Sequence, residues 1–222
     1  MKTAMILAAG RGERLRPLTD LMPKALCKVH GIPLIEYHIT HLARAGFNRI
    51  VINHAYFGGQ IRRLLGHGDR FGIEICYAPE PPGGLETGGG IFNALPLLGE
   101  EPFVTVNADV FTDFDFVQLA LPIHSCAHLV LINKPDYQSQ GDFGLSSTGL
   151  LDNNHRQYTF AGIACYQPAF FHGSKPGRYS VTPLLRQLAN EGRATGEFYT
   201  GTWIDIGSPA RLILAQSLLG AL

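Results

Sequence analysis

The feature that most limits the fold is the regular alternation of apolar runs with amphipathic stretches through the first 130 residues. Short runs of apolar residues predict strands, and apolar residues at helical spacing predict helices. The predicted strands are 3–10, 49–55, 73–79, 102–109 and 127–133, and the predicted helices are 33–46, 58–66, 91–98 and 115–121. Such alternation is typical of parallel strands joined by crossover helices, which cover both faces of an α/β sheet.

Beyond residue 133 the pattern changes to one typical of a mixed sheet. Residues 141–154 predict a hairpin with a turn rich in serine, threonine and glycine. The later predicted elements are strands 158–168 and 201–207 and helices 180–192 and 208–220. Ser208 at the N-cap and Pro209 at the first helical position are residue types favoured at a helix start. Because the sequence shows no repeat or linker, we expect one mixed α/β domain over residues 1–222.

Charge and cysteine content narrow the class of protein. The chain carries 18 lysine and arginine residues against 18 aspartate and glutamate residues, so we expect neither a nucleic-acid nor a membrane partner. No apolar stretch approaches the length of a membrane span. The four cysteines are far apart and form no CxxC pair, which is typical of reduced thiols. The apolar segment 3–10 is short for a signal peptide and Arg11 follows it at once, so we expect a cytoplasmic protein.

A basic, glycine-containing loop follows the first predicted strand. The stretch LAAGRGERLRPLTDLMPKAL, residues 7–26, contains two glycines and four cations, which are Gly10, Gly12, Arg11, Arg14, Arg16 and Lys24. Glycines permit a tight turn whose free N–H groups bind phosphate oxygens, while arginine binds phosphate bidentately and lysine supplies a point charge. Open α/β sheets also bind ligands at the carboxyl ends of their strands. The loop therefore indicates a phosphate site, with a solvated glycine turn as the alternative.

Two common phosphate loops do not fit this stretch. The GxxxxGK[ST] pattern is absent, because neither Gly10 nor Gly12 has the required spacing to Lys24. The GxGxxG pattern begins at the same glycines but has Leu15 in place of its third glycine. The second predicted strand also ends near Asn53 rather than in the acid that would bind a ribose hydroxyl. The loop therefore belongs to neither class.

The same stretch resembles the signature of the sugar-1-phosphate nucleotidyltransferases, L-A-A-G-x-G-x-R-L-x-P-L-T followed by P-K-x-L. The resemblance implies a single Rossmann-like, GT-A-like domain, with a nucleotide-binding half at about 1–110 and a sugar-phosphate-binding half at about 111–222. It implies that Arg14 binds the outer phosphates of a nucleoside triphosphate and that Lys24 contacts the phosphates at the reacting centre. The residues of this stretch that are expected to bind the nucleotide are Leu7, Ala9, Gly10, Arg11, Gly12, Glu13 and Lys24.

Two aspartates that follow apolar runs are the candidate metal ligands. Transfer between two anions usually needs Mg²⁺, which binds one or two carboxylates and keeps several waters. Asp109 ends the run FVTVNAD and Asp205 lies in TWIDIGSP, and adjacent strands of one sheet would bring them together. Both match steps that hold the catalytic Mg²⁺ in the resembled family, which implies a catalytic role for Asp109. The alternatives are a turn role for Asp109 and a helix-capping role for Asp205.

Other ionisable side chains are expected to have structural roles. Asp113 and Asp115 are predicted to start the helix at 115–121. His38 and His41 are three residues apart on a predicted helix, where a solvated or partly packed pair is more common than a metal site. Neither pair is therefore a candidate for the ligands of the ion.

Two further segments match the base and sugar pockets of the resembled family. In the turn EPPGGLETGGG, Gly84 and Leu85 would present backbone groups to the base and Glu80 would accept from a ring N–H, with a flexible turn as the alternative. The residues that match the acceptor pocket are Asn107, Asp142, Gly144 and Gly162. Many members carry Glu-Lys-Pro after the hairpin, but this chain has LDNNHRQ there. Arg156 is the candidate substitute for the lysine that binds the sugar phosphate.

The short build and the segments LIEYH, VINHA, LETGGGIF and GDF most resemble the branch of the family that acts on N-acetylmuramic acid 1-phosphate. That branch transfers the uridylyl group of UTP and releases pyrophosphate in peptidoglycan recycling. We therefore expect UTP and this sugar phosphate as substrates, Mg²⁺ as cofactor, and a monomer or weak homodimer. The alternatives are a mannose-1-phosphate guanylyltransferase or related enzyme and, in another class, a nucleotide-sensing module without chemistry.

Overall fold

The computed structural model describes residues 2–218. The strands are β1 (Thr3–Leu7), β2 (Lys28–Val29), β3 (Ile32–Pro33), β4 (Arg49–His54), β5 (Glu74–Pro79), β6 (Phe103–Asn107), β7 (Val110–Thr112), β8 (Ala127–Asn133), β9 (Gly144–Leu145), β10 (Leu151–Asp152), β11 (Tyr158–Tyr166), β12 (Ala194–Phe198) and β13 (Trp203–Asp205). The α-helices are α1 (Leu34–Arg44), α2 (Gly58–Leu65), α3 (Glu86–Leu98), α4 (Thr182–Asn190) and α5 (Pro209–Ser217). None of the described helices combines the length and apolarity needed to cross a membrane. The last two residues of the predicted helix 208–220 lie outside the described part of the chain.

Seven strands form the central sheet, in the order β12-β8-β11-β6-β1-β4-β5. All neighbouring pairs are parallel except the two that β11 makes, with β6 and with β8. The carboxyl ends of β1, β4, β5 and β6 therefore meet at one edge of the sheet, where ligands of such sheets bind. The predicted α/β fold with a mixed, mostly parallel sheet is confirmed.

Alternating side chains of each strand divide the core into two layers. On β1, Ala4 and Ile6 belong to one buried cluster and Met5 to the other. Helices α1 and α2 cover the first layer with residues such as Ile39 and Ile61, whereas α3 and α4 cover the second layer. A strand buried on both faces needs apolar residues at nearly every position, which explains the continuous runs in the sequence. The prediction of helices on both faces is confirmed.

A two-stranded ribbon of β7 and β13 lies beside the main sheet. The two strands are antiparallel, with Asp205 opposite Val110. A smaller buried cluster beneath the ribbon includes Leu15 of the opening loop, Phe111 of β7 and Ile206 after β13. Apolar packing therefore fixes the opening loop against the ribbon, although the two are far apart in the sequence.

The predicted helix at 115–121 is not formed. Residues 116–118 form a turn and a bend, and Asp115 Oδ1 accepts a hydrogen bond from the Val117 N–H at 2.9 Å. Phe114 and Phe116 are both buried, and their ring centroids lie 5.3 Å apart. The helical prediction is wrong because a turn bonded by the Asp115 side chain and the packing of two buried aromatic rings determine the conformation there.

Asp113 is tied to the segment before β13 rather than to a helix start. Its Oδ1 accepts hydrogen bonds from the Tyr199 hydroxyl and, at 2.8 Å, from the Thr202 N–H. Burial and the hydrogen bond to Asp113 raise the pKa of the Tyr199 phenol. The phenol therefore stays protonated and keeps donating, and the predicted helix-starting role of Asp113 is wrong.

Helix α3 begins at Glu86, whereas the sequence predicts its start at residue 91. The glycine triplet 88–90 predicts a turn because glycine is a weak helix former. In the structure the triplet is buried, and the Gly89 N–H donates to the Tyr179 carbonyl at 3.1 Å. A Cβ added to Gly89 would lie 2.0 Å from the Gly177 carbonyl oxygen. Close packing of the segment before α4 therefore outweighs the low helix propensity.

Strand β12 is absent from the sequence-based prediction. Its residues, ATGEF, include a glycine and a charge and show little apolar pattern. The strand lies at the edge of the sheet and pairs in parallel with β8. On its other side the Gly196 N–H donates to the Gly149 carbonyl at 2.9 Å, next to a bridge between Leu150 and Thr195. Backbone hydrogen bonds on both sides therefore hold the strand without an apolar run.

His38 of α1 is a packing residue in the core. It is 1% exposed, and burial lowers its pKa to about 4, with the nearby His41 as a smaller cause. Its imidazole is therefore neutral near neutral pH. Among residues 2–218, no group of three or more histidine, cysteine, aspartate or glutamate side chains is arranged to hold a metal ion.

Asn53 links the carboxyl ends of neighbouring strands. Its Oδ1 accepts a hydrogen bond from the Ala8 N–H at 2.8 Å, and its Nδ2 donates to Glu80 Oε1 at 2.6 Å. The other oxygen of Glu80 accepts from the Leu85 N–H at 2.7 Å. A Cβ added to Gly90 would lie 2.6 Å from Glu80 Oε1, so the helix leaves just enough room for this carboxylate. The buried amide therefore fixes the relative positions of β1, β4 and the segment after β5.

The Asn53→Ala variant is expected to lose about 3 kcal/mol of unfolding free energy, because it leaves a buried N–H and a buried carboxylate oxygen without their partner. Urea unfolding measures the loss. The control is Asn93→Ala, which removes a single exposed hydrogen bond to the Pro79 carbonyl at 3.2 Å and is expected to cost less than about 1 kcal/mol. Equal losses in the two variants would contradict the role given to Asn53.

Candidate active site

A cleft of about 540 Å³ opens at the carboxyl ends of β1 and β6. This is the edge at which open α/β sheets bind ligands. The predicted site residues that line the cleft are Leu7, Ala9, Gly10, Arg11, Glu13, Lys24, Gly84, Asn107 and Asp109. The structure therefore brings the opening loop, one candidate metal ligand and one candidate sugar contact to the same place.

The opening loop folds back onto Lys24. Gly12 has a φ of +70°, and an added Cβ would lie 3.0 Å from Lys24 Cβ. The Thr19 hydroxyl donates to the Gly12 carbonyl at 2.8 Å and fixes this turn. Glycine adopts the left-handed conformation without steric cost. At Gly10, by contrast, no described atom lies within 4 Å of the Cβ position, so the loop is open to the cleft there.

Lys24 joins the two predicted metal ligands. Its Nζ contacts Asp109 Oδ2 and lies 3.7 Å from Asp205 Oδ1. The Lys24 side chain is 11% exposed, and a charge that is so far removed from water needs opposite charge nearby. The two carboxylates supply that charge, and the ammonium in turn offsets their mutual repulsion.

Asp109 and Asp205 meet through the ribbon rather than through neighbouring strands of the main sheet. Asp109 lies in the turn between β6 and β7, and Asp205 ends β13. The Ile206 N–H donates to the Asp109 carbonyl at 2.8 Å, which fixes the two turns together. Adjacent strands of one sheet therefore bring the two aspartates together, as the sequence predicts, and that sheet is the β7–β13 ribbon rather than the main sheet.

Only one of the two carboxylate oxygens of Asp205 accepts a hydrogen bond from a described residue. Its Oδ2 accepts from Arg211 Nη1 at 2.7 Å, whereas Oδ1 is buried without a hydrogen-bond partner among the described residues. The N-cap of α5 is Ser208, so Asp205 does not cap that helix. Mg²⁺ prefers oxygen ligands and binds through one or two carboxylates with water and substrate phosphates. A buried, unpaired carboxylate oxygen next to Asp109 fits such an ion.

Arg14 and Arg211 approach each other above Gly207. A Cβ added to Gly207 would lie 2.7 Å from Nη2 of each arginine and 3.0 Å from Asp205 Oδ1. Arg14 is exposed and makes no ion pair with the described residues, whereas Arg211 is bound to Asp205. Two guanidinium groups this close repel each other unless negative charge lies between or beside them. The arrangement therefore favours binding of an anion by Arg14.

The second predicted nucleotide loop has a part that faces the cleft and a part that supports it. Gly83 and Gly84, with φ of +100° and +72°, line the cleft. Glu80 is buried beside them, and its two oxygens accept from Asn53 and from the Leu85 N–H. Glu80 and Leu85 are not among the lining residues in the described structure. The expected contact of Glu80 with the base stays a prediction, and its observed role is to hold the loop.

Asn107 and Gly162 are neighbours at the cleft edge. Gly162 has a φ of +75° and lies where the register of β11 shifts against β8. A Cβ added to Gly162 would lie 2.4 Å from Asn107 Nδ2. Glycine at this bulge therefore makes room for the asparagine that lines the cleft.

The region around β9 and β10 holds the remaining sugar-pocket candidates in contacts within the protein. Asp142 Oδ2 accepts from the backbone of β11 at 2.9 Å, and Arg156 donates to the Gln140 side chain. Gly144 approaches the His155 backbone so closely that an added Cβ would lie 2.3 Å from the carbonyl oxygen. These three candidates do not line the cleft in the described structure. Their contacts with the sugar phosphate stay predictions.

Sequence reasoning missed several lining residues on connecting segments. Tyr56 follows β4, and its ring lies 5.2 Å from the Arg11 guanidinium. Arg178 precedes α4 and pairs with Glu86 at 3.2 Å. Glu86 has a φ of +59°, which is uncommon for a residue with a Cβ. Residues on connecting segments follow no helical or strand periodicity, so the sequence pattern does not identify them. The feature that could have identified Tyr56 and Arg178 is an aromatic ring or a cation in a loop rich in glycine and proline.

The fold and the cleft define a nucleotidyltransferase-type site. The nucleotidyl transferase family model matches residues 3–220, and the chain belongs to this family. It is 49% identical to the N-acetylmuramate alpha-1-phosphate uridylyltransferase of Neisseria meningitidis serogroup B, over 98% of each chain. It is 32% identical to the N-acetylmuramate alpha-1-phosphate uridylyltransferase of Caulobacter vibrioides, over 98% of this chain and 97% of the relative.

A solved structure with the same fold is that of a Bacillus anthracis protein described as a glucose-1-phosphate thymidylyltransferase. The two structures superpose with a TM-score of 0.86 over 100% of this chain and 96% of the other, at 22% sequence identity. This likeness confirms the fold, and the family match confirms the family that the opening stretch predicts.

The Gly207→Ala variant is expected to slow nucleotidyl transfer about ten- to a hundredfold, because the new methyl group displaces the tips of Arg14 and Arg211. Since the added methyl group meets side-chain atoms rather than backbone and Gly207 carries no left-handed φ, the melting temperature is expected to fall by less than about 3 °C. Steady-state kinetics and calorimetry measure both. The control is Gly59→Ala, whose added Cβ meets no described atom within 4 Å. A Gly207→Ala enzyme as active as this control would contradict the expectation.

Proposed function

We propose that the chain transfers the uridylyl group of UTP to N-acetylmuramic acid 1-phosphate, with Mg²⁺, giving the UDP-sugar and pyrophosphate in peptidoglycan recycling. The observation that carries the proposal is the pairing of Lys24 with Asp109 and Asp205 at the base of a glycine-lined cleft. The named activity of the two uridylyltransferase relatives supports the choice of substrates. Because UTP is kept inside the cell, the proposed reaction belongs to the cytoplasm.

The proposed reaction joins two anions. A phosphate oxygen of the sugar phosphate forms a bond to the α-phosphorus of UTP, while the bond from that phosphorus to pyrophosphate breaks. The attacking phosphate is already an anion, so no side chain has to remove a proton from it. A bound Mg²⁺ would supply positive charge that offsets the phosphates. The protein therefore contributes positioning and electrostatic stabilisation.

Lys24 is the proposed contact to the reacting phosphates. Its ammonium is paired with Asp109 and Asp205. If these carboxylates held a divalent cation, the ammonium would be available to phosphate oxygens. A compact charge on a flexible stem can make such a change of partner without moving the backbone.

Arg14 is the proposed contact to the departing pyrophosphate. It is exposed, has no ion pair with the described residues and lies beside Gly207, next to the Asp205 turn. Negative charge grows on the pyrophosphate as its bond to the α-phosphorus breaks. A guanidinium group can meet that charge with two parallel hydrogen bonds.

Selection of the base is proposed to depend on the glycine loop at 83–84. Buried hydrogen bonds from Asn53 and Glu80 support this loop, so its backbone groups keep a fixed position. Tyr56, which also lines the cleft, adds an aromatic face next to Arg11. We propose that backbone groups held in fixed positions select the base by its hydrogen-bond donors and acceptors. The expected monomer or weak homodimer stays a prediction.

The substrate proposal is tested by measuring pyrophosphate release with each nucleoside triphosphate and a panel of sugar 1-phosphates. UTP with N-acetylmuramic acid 1-phosphate is expected to give the highest kcat/KM, and added EDTA is expected to abolish turnover. A preference for GTP with mannose 1-phosphate would favour the guanylyltransferase alternative. Nucleotide binding without any pyrophosphate release would favour the sensing module.

The Asp109→Asn variant is expected to keep the fold and to lose roughly a hundred- to a thousandfold in kcat, because the removed charge acts at the reacting centre. A Mg²⁺ titration at saturating substrates is expected to show a higher requirement for the metal. The control is Asp69→Asn, an exposed aspartate in the turn after α2. Near-normal turnover by Asp109→Asn would refute the role of this carboxylate.

A further inference from the structure

Arg211, in the first turn of α5, holds the side of Asp205 that faces away from Lys24. Its Nη1 donates to Asp205 Oδ2 at 2.7 Å and to the Tyr137 hydroxyl at 2.9 Å. Its Nε and its backbone N–H lie 3.5 and 3.4 Å from the Ser208 hydroxyl oxygen. The Arg211 side chain is 18% exposed, so these contacts replace most of its water. One guanidinium group thus connects the helix cap, the ribbon and the segment after β8.

The contacts of Arg211 make the two oxygens of Asp205 unequal. Oδ2 accepts a hydrogen bond from the guanidinium, whereas Oδ1 is buried without a hydrogen-bond partner among the described residues and is ion-paired with the Lys24 ammonium at 3.7 Å. Rotation of the carboxylate would break the short bond to Arg211. The arginine therefore keeps Oδ1 turned toward the space that Asp205 shares with Asp109.

The contact with Tyr137 restricts the guanidinium itself. The Arg211 Cζ atom lies 4.6 Å from the centroid of the Tyr137 ring, and the ring hydroxyl accepts from Nη1. Tyr137 belongs to the segment after β8, which is far from α5 in the sequence. A planar group that is stacked on a ring and bonded at its edge has little freedom to turn.

Building on the proposed function, we propose that Arg211 is a positioning residue that orients Asp205 for the divalent cation. In this proposal Arg211 contacts Asp205 and not the substrate, whereas Arg14 binds the phosphates. Arg14 is exposed and without an ion pair among the described residues, whereas Arg211 is already bound to Asp205, Tyr137 and Ser208. Hydrogen bonds of this kind to the ligands of a metal typically change metal affinity ten- to a hundredfold.

The first test measures binding of Mn²⁺ alone to the full-length protein, by the loss of the free-ion signal in electron paramagnetic resonance. Arg211→Met is expected to weaken Mn²⁺ binding at least about tenfold. It is expected to lower kcat while the KM for UTP changes less than about threefold. The Mn²⁺ affinity and kcat of Arg211→Lys are expected to lie between those of Arg211→Met and the wild type, because lysine keeps the positive charge but lacks the planar guanidinium group. Arg211→Lys also replaces Arg211→Met if that variant does not fold.

The matched control is Arg70→Met. Arg70 also pairs with a carboxylate, Glu36 at 2.6 Å, and also stacks on a ring, Phe71 at 4.3 Å, but α1 and the segment before β5 hold it away from the cleft. Its loss is expected to leave Mn²⁺ binding and kcat unchanged. A general effect of removing a stacked arginine would appear equally in the two methionine variants.

The second test is a double-mutant cycle with Asp205→Asn. If Arg211 acts through Asp205, Arg211→Met is expected to cause little further loss of kcat in the Asp205→Asn background, so the two effects do not multiply. Wild-type turnover of UTP with N-acetylmuramic acid 1-phosphate tests the proposed function separately. In an enzyme with that turnover, normal Mn²⁺ binding by Arg211→Met overturns the positioning role. The positioning role is also overturned if the kcat losses of Arg211→Met and Asp205→Asn multiply in the double variant. It is overturned as well if Arg211→Met changes only the affinities for UTP and pyrophosphate.

Discussion

The ion contact of Lys24 with Asp109 and Asp205 is the constraint on which the rest of the site depends. Three charged groups from distant parts of the sequence share a largely buried position, where each would be costly without the others. Several other features follow from it. Gly12 turns so that its loop can lie against the lysine stem, and a ribbon outside the main sheet carries the second carboxylate. The sheet edge fixes where the site lies, and the three charged groups determine how the opening loop and the ribbon are arranged there.

Much of the fold is predictable from the sequence because strands buried on both faces of a parallel sheet appear as continuous apolar runs. The runs of β1, β4, β6 and β8 are apolar on both faces, and glycine or a charged residue closes most of them. Predictions failed where tertiary contacts outweigh local preference. The segment at 115–121 has helix formers, but it forms a turn next to the buried rings of Phe114 and Phe116. The triplet at 88–90 has poor helix formers but is helical, because another segment packs against its bare backbone.

In the candidate site, too, local sequence pattern identifies some residues and only tertiary contacts identify others. Lys24, Asp109 and the glycine loop could be proposed from the sequence because spacing within one stretch, or the end of one strand, marks them. The expected contact of Glu80 with the nucleotide base stays a prediction, and the hydrogen bonds that Glu80 accepts from a buried asparagine and a backbone N–H are contacts that no local pattern reveals. Arg211 was missed because its partner Tyr137 is 74 residues away, and only the folded chain brings the two together. Contacts over such separations are set by topology rather than by sequence pattern.

The ribbon of β7 and β13 has a consequence for the order in which the chain matures. Synthesis proceeds from the amino end, so the loop with Lys24 and the strand before Asp109 leave the ribosome well before Trp203–Asp205. Until that short strand pairs with β7, the lysine has half of its counter-charge and the opening loop lacks the apolar layer beneath it. The second carboxylate is therefore the last part of the charged cluster to be synthesised, and the cluster is complete only when β13 pairs with β7.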